Sequence, residues 1–139
     1  PEETAEAIRD GWFYGGDLAR QDEEGYLYLA GRRKDMIIRG GENIYPIEIE
    51  TVLSGAPGVA QVAVVGRPHD HWGEVVVAVL TAHPGEEIDV DALAVRCREQ
   101  LAAYKVPAEY LVLPEMPLNA SGKILKRRLR EQLLAPAGA

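Results

Sequence analysis

VAQVAVVGRP at residues 59–68 and EVVVAVLTAHPG at residues 74–85 are continuous β-branched apolar runs closed by turn residues. Apolar runs of this length, bounded by Gly and Pro, read as well-buried strands of one sheet. Their neighbours supply the cover. Before them, PIEIETVLSGAPG (46–58) opens with a proline suited to a first helical position. Ile47, Val52 and Leu53 supply much of an apolar stripe there, and Gly55 closes the helix. After them, DVDALAVRCREQLAAY (89–104) is an amphipathic helix. Asp89 can cap it, and Leu93, Cys97 and Leu101 recur four apart. EYLVLPEM (109–116) is a last short strand. ILKRRLREQLL (124–134) is a terminal helix with Ile124, Leu125, Leu129 and Leu133 available for packing, and APAGA (135–139) reads as a frayed tail.

Upstream, KDMIIRGGENIYP (34–46) reads as a short strand, a glycine pair and a second short strand. GDLARQDEEGYLYLAGR (16–32) reads as a β-hairpin turning at DEEG, with Tyr26, Leu27, Tyr28 and Leu29 in a strand. PEETAEAIRDGW (1–12) reads as a short helix ended by Gly11. The fold class is therefore α+β: a small mixed sheet with packed helices, preceded by a β-hairpin. The natural break lies in GRRKD (31–35). The hairpin before it has too little surface for its own core, and the unit after it is self-sufficient.

Bulk composition narrows the function classes. The 139 residues are 47% hydrophobic and carry a formal charge of −7, which argues against general nucleic-acid binding. A single cysteine, Cys97, excludes an internal disulfide framework and fits a reducing cytoplasm. Within these 139 residues there is no signal-peptide pattern and no membrane-length apolar run. The chain starts mid-pattern without an initiator methionine, so it is expected to be a piece of a longer protein.

Each candidate site has a plain alternative. Asp17, after two glycines in GGD (15–17), can take both hydroxyls of a ribose or be an ordinary turn aspartate. Arg32 in GRRKD can bind a phosphate or ribose bidentately or belong to a solvated charge cluster. The glycine pair of RGGEN (39–43) is a hairpin turn, or a bare backbone wall past which a narrow chain slides. His69 and His71 in RPHDHWGE lack a third nearby ligand, His83 being far off, so they read as surface-loop histidines, not a metal site. Trp72 can stack on an adenine ring or close the core. Lys123, Lys126, Arg127, Arg128 and Arg130 form one basic face of the terminal amphipathic helix and its approach.

The order of these motifs is more specific than any one of them. GWFYGGDLARQDEEGYLYLAGRRKDMIIRGGENIYPIEIE (11–50), then VVGRPHDHWGE (64–74), YKVP (104–107) and PLNASGKILKRRLR (117–130), resembles the C-terminal part of the AMP-forming acyl-CoA synthetases. These belong to the adenylate-forming superfamily, with luciferases and the adenylation domains of peptide synthetases. The resemblance implies a two-step ligase. ATP and a carboxylic acid, often a fatty acid, give acyl-AMP and pyrophosphate; coenzyme A then displaces AMP. It also implies an N-terminal domain of the same chain that holds most Mg2+ contacts and the acyl pocket. Residues 1–33 would be the end of that core region, residue 34 a hinge, residues 35–130 a mobile C-terminal domain and residues 131–139 a tail.

By the same resemblance, Asp17 holds the ribose hydroxyls and Arg32 contacts ribose or phosphate. Lys34 is the hinge, and Gly40, Gly41 and Glu42 line the pantetheine tunnel. Trp72, Tyr104 and Lys105 lie in segments that approach coenzyme A, and Lys123 is the lysine of the adenylating pose. One departure stands out: YGGD (14–17) has Gly15 where the family usually carries Thr or Ser.

A physical reason for Lys123 follows. A carboxylate attacking an α-phosphate repels it until a cation lies between them. The same charge is unhelpful once a thiol must approach the carbonyl, so a flexible NASG arm on a mobile domain would deliver it for one step and remove it for the next. The substrate acid is already ionised, so Lys123 need not act as a base. A lysine acetyltransferase acting on Lys123 would abolish its charge. Two other readings remain: an acyl-AMP ligase that loads a carrier protein, and a stand-alone binding or regulatory module with the same fold.

Overall fold

The computed structural model describes residues 1–134. In chain order the elements are α1 (Glu2–Ala7), β1 (Ile8–Arg9), β2 (Trp12–Phe13), β3 (Asp17–Gln21), β4 (Leu27–Arg32), β5 (Ile37–Arg39), β6 (Glu42–Ile44), α2 (Pro46–Ser54), β7 (Val59–His69), β8 (Gly73–Ala82), α3 (Val90–Gln100), β9 (Glu109–Val112) and α4 (Lys126–Leu134). Short 3-10 turns cover Arg33–Asp35 and Ala103–Lys105.

β7 and β8 pair antiparallel from Val59↔Ala82 to His69↔Gly73. β7 occupies one edge of β8, leaving the other to β9, which pairs parallel over Val77–Leu80, and to β5, which joins at Arg39↔Gly73. β6 completes a five-stranded mixed sheet. The two apolar runs lack alternation because both faces of the sheet are covered. Val64, Val76, Ala78 and Leu80 pack with α2 and α3 residues such as Ile49, Leu53, Leu93 and Cys97. Ala63, Val65, Val77 and Val79 pack on the opposite face with Met116 and Leu129.

Local chemistry sets the helix ends. Pro46 starts α2, and the Asp89 carboxylate caps α3 by accepting from Ala92 N at 3.0 Å. α2 buries Pro46, Ile49 and Leu53, a three- and four-residue repeat. The expected stripe thus needs correction at Ile47, which is 44% exposed and turned off that face. α4 starts at Lys126, two residues later than expected, because Leu118 and Ile124 form a β-bridge first. The expected tail segment APAGA lies outside the described residues.

The N-terminal reading also changes. The helix stops at Ala7, and Ile8–Arg9 pair with Trp12–Phe13 across Asp10-Gly11. Both turn residues have positive φ, 51° and 81°, the geometry of a two-residue hairpin turn. β3 and β4 form the expected hairpin, and the Asp22 carboxylate organises its turn by accepting from Glu24 N and Tyr26 N. This region has no core: Trp12, Phe13, Leu27 and Leu29 are each more than 70% exposed (72%, 74%, 72% and 72%).

Candidate active-site cleft

Lys123 is not carried by a slack loop. The Asn119 side-chain oxygen accepts from Ser121 N (3.0 Å), the Ser121 hydroxyl (2.8 Å) and Lys123 N (2.9 Å). Asn119 N donates to Lys123 O at 2.8 Å, and Leu125 N to Pro117 O at 2.8 Å. Asparagine suits this role because its short amide reaches the backbone two and four residues on. The expectation of a flexible arm is corrected: the loop is a hydrogen-bonded tip that feeds directly into α4.

That tip faces the junction segment. A cleft of about 480 Å3 is lined by Arg32, Lys34 and Asp35 on one side and by Asn119, Lys123 and the start of α4 on the other. A second cleft of about 480 Å3, lined by Gly15, Gly16, Arg32, Arg33 and Lys34, shares Arg32 and Lys34 with the first. Across the hairpin, Arg32 is the register partner of Asp17, with its Nε 3.6 Å from the carboxylate.

The cations of the first cleft are not equivalent. Lys126 pairs with Glu50 (2.6 Å), Arg127 with Glu131 (3.1 Å) and Arg130 with Asp35 (2.9 Å). Lys34 and Lys123 have no carboxylate partner among the described residues. Two free ammonium groups and the loosely held Arg32 make a concave positive surface suited to a polyphosphate.

Gly40, Gly41, Glu42 and Trp72 gather elsewhere and do not line the Lys123 cleft. Gly40 and Gly41 both have positive φ, 57° and 84°, and form the two-residue turn between β5 and β6. Gly40 N donates to Trp72 O at 2.8 Å, and the Arg39 guanidinium lies 4.3 Å from the Trp72 ring centre. Trp72 is 39% exposed, so it does not close the core. His69 Nδ1 accepts from His71 N and Trp72 N, which commits it to shaping the turn. Lys105 is hydrogen-bonded to Glu48 at 2.8 Å, which raises its pKa, while Tyr104 packs against the core. Among the described residues no group of three or more His, Cys, Asp or Glu is placed to hold a metal ion.

Residues 48–123 match the family model described as the AMP-binding enzyme C-terminal domain. The chain belongs to that family. Relatives resemble the chain over nearly its whole length. The long-chain-fatty-acid–CoA ligase FadD13 of Mycobacterium tuberculosis is 47% identical over 97% of this chain and 27% of its own. The fatty acid–[acyl-carrier-protein] ligase ScoC of Streptomyces coeruleorubidus is 47% identical over 95% of this chain and 25% of its own. The crystal structure of ATP-bound MatB from Rhodopseudomonas palustris superposes with a TM-score of 0.84 at 41% identity, covering 95% of this chain and 26% of that one. The chain therefore spans about a quarter of the length of the relatives it matches.

Sequence reasoning missed Asn119, the Asp35–Arg130 pair and the role of Glu74, whose carboxylate accepts from Ile38 N at 2.8 Å. An Asn two residues before Ser-Gly is a legible turn signal. The Asp35–Arg130 pair joins residues 95 apart and leaves no local trace.

Proposed function

We propose that this chain is the C-terminal part of an ATP-dependent acid–CoA ligase. The observation that carries the reading is the placement of Lys123 opposite Arg32 and Lys34 in one cleft, with Lys34 and Lys123 free of carboxylate partners among the described residues. In the first half-reaction a carboxylate oxygen attacks the α-phosphorus of ATP. The bond to the bridging oxygen breaks, and pyrophosphate leaves. Lys123 offsets the negative charge shared by carboxylate, bridging oxygen and α-phosphate. Asp17 accepts from the ribose hydroxyls and Arg32 contacts ribose or phosphate. In the second half-reaction the coenzyme A sulfur attacks the acyl carbonyl, and the bond to AMP breaks. Gly40, Gly41 and Glu42 then border the pantetheine arm, with Trp72 beside them.

Rotation about Lys34 exchanges the two surfaces, which fits their separation in the structure. Because the Lys123 tip is internally bonded, it moves with the domain as one body. Mg2+ would be held mainly by the N-terminal domain of the same enzyme, as the family resemblance implies, and no step here runs through it. The ligase acts in the cytoplasm, and the exposed Lys123 is open to a lysine acetyltransferase.

A second reading, loading of a carrier protein from the acyl-adenylate, is supported by ScoC, a carrier-protein ligase as similar to this chain as the CoA ligase FadD13. Full-length enzyme assayed for both half-reactions separates the two. The leading reading expects ATP–pyrophosphate exchange with an acid and AMP release with coenzyme A. AMP release only with an acylatable carrier protein supports the second, and exchange absent with a broad panel of acids overturns both. The isolated chain is expected to be inactive.

A further inference from the structure

The sequence motif GRPHDHWGE (66–74) opens on a glycine and closes on a glutamate that the proposed reaction does not use. The structure joins these two residues. A Cβ placed on Gly66 would lie 2.5 Å from Oε1 of Glu74 and 3.0 Å from its Cδ, so the Glu74 carboxylate occupies the space a side chain would take. Its other oxygen accepts from Ile38 N of β5 at 2.8 Å. β5 needs this support, because it meets β8 through the single register pair Arg39↔Gly73. The next residue after that pair is Gly40, whose N–H is held by Trp72 O and whose missing Cβ leaves room for the Trp72 ring.

We propose that Glu74, seated over Gly66, is a positioning residue for the coenzyme A surface. Its carboxylate replaces the ladder that β5 lacks on its β8 side and so fixes the height of the Gly40-Gly41 turn against Trp72. The effect is confined to the thioester half-reaction, because neither Glu74 nor the turn lines the Lys123 cleft. The role requires an acceptor at this position, not a negative charge: Ile38 N–H is a neutral donor that an amide oxygen can also satisfy. This inference rests on the ligase reading above.

The test uses the full-length ligase and separates the half-reactions by single-turnover kinetics. Hydrogen exchange of the peptide covering residues 37–41 is measured in parallel. Glu74→Ala is expected to slow thioester formation tenfold or more, with a raised KM for coenzyme A. Adenylate formation should stay within twofold, and the 37–41 peptide should exchange faster. Gly66→Ala, which displaces the carboxylate, should reproduce that pattern, and Glu74→Gln should recover thioester formation to within about threefold of wild type. Equal slowing of both half-reactions by Glu74→Ala, or a Gln variant as impaired as the Ala variant, overturns the proposal. So does unchanged exchange of the peptide in Glu74→Ala. A wild-type enzyme that forms adenylate but ignores coenzyme A overturns the ligase reading instead, while the exchange measurement still decides whether Glu74 holds β5.

Discussion

Replacing Gly40 and Gly41 separately by alanine should give unequal losses of stability, although the two residues share one turn. At each position alanine must adopt a left-handed backbone, at φ 57° and 84°. That costs about 1–2 kcal/mol, partly offset by about 0.4–1 kcal/mol from a stiffer unfolded chain. At Gly41 nothing lies within 4 Å of the new Cβ, so these opposing effects are the whole account and the net loss is about 1 kcal/mol. At Gly40 the Cβ would meet Trp72 Cε3 at 3.0 Å and Cζ3 at 3.3 Å. The ring cannot move freely, since Arg39 lies over it at 4.3 Å and the Trp72 carbonyl is tied to Gly40 N. Overpacking costs about 1–3 kcal/mol, and a surface-facing ring places this case near the lower end. Gly40→Ala should therefore lose about 1 kcal/mol more than Gly41→Ala in urea denaturation followed by far-UV circular dichroism. In a Trp72→Ala background the gap should close. Equal losses in the wild-type background, or a gap that survives Trp72→Ala, would refute the argument that the turn is seated on the tryptophan.

Other expectations follow from buried and paired groups. Burial raises the pKa of the Cys97 thiol above its ordinary 9.0 and that of the Tyr110 hydroxyl above its ordinary 10.0, and the Glu48 hydrogen bond raises that of Lys105 above 10.5. In each case the unfolded chain loses its proton first as pH rises, so stability should be level up to about pH 9 and fall steadily above it. The Tyr110 hydroxyl is buried with no well-formed hydrogen bond, and its polar neighbour is the weakly bonding Cys97 thiol. Tyr110→Phe should thus leave stability unchanged or raise it by about 1 kcal/mol at pH 7, and flatten the fall above pH 10, as read by thermal melts across pH. Asp35→Ala removes the partner of Arg130 from a pair whose Asp35 side chain is only 17% exposed. A loss of about 1–3 kcal/mol is expected, with Arg130→Gln adding little more in a double-mutant cycle. Lys34→Pro, which fixes φ near −65°, should preserve adenylate formation and sharply reduce thioester formation, whereas Lys34→Ala, which keeps the rotation and removes only one charge of the cleft, should slow adenylate formation a few-fold at most and leave thioester formation unchanged.

The sheet was legible because strand and helix signals are local. Two apolar runs, Pro46, Asp89 and the glycine punctuation located the central elements within a few residues. The faces were harder. Ile47 and Ile49 are chemically alike, and only the three-dimensional position of β7 decides which one is buried. The Asp10-Gly11 turn is a dipeptide signal, but Glu2, Glu3 and Glu6 favour helix just before it and mask the break. For the site, Asp17, Arg32, Lys34 and Lys123 came from motif order, while the convergence of Arg32, Lys34 and Lys123 on adjoining clefts, with Asp17 beside Arg32, came from the fold. The pairs Asp35–Arg130 and Glu74–Ile38, separated by 95 and 36 residues, depend on tertiary geometry alone. The hydrogen-bonded turn at the Lys123 tip was hidden for a different reason. Asn, Ser and Gly are common to loose loops and to hydrogen-bonded turns, and composition does not tell the two apart.

The most direct test of the account is single-turnover kinetics of Lys123→Ala in the full-length ligase, with each half-reaction started from its own substrates. Adenylate formation from ATP and acid should slow by two to three orders of magnitude, about 3–4 kcal/mol of lost transition-state stabilisation. Thioester formation from pre-made acyl-adenylate and coenzyme A should stay within about twofold of wild type if, as proposed, Lys123 is swung out of the site for that step. Equal slowing of both half-reactions would contradict the claim that this cleft serves the adenylating pose alone.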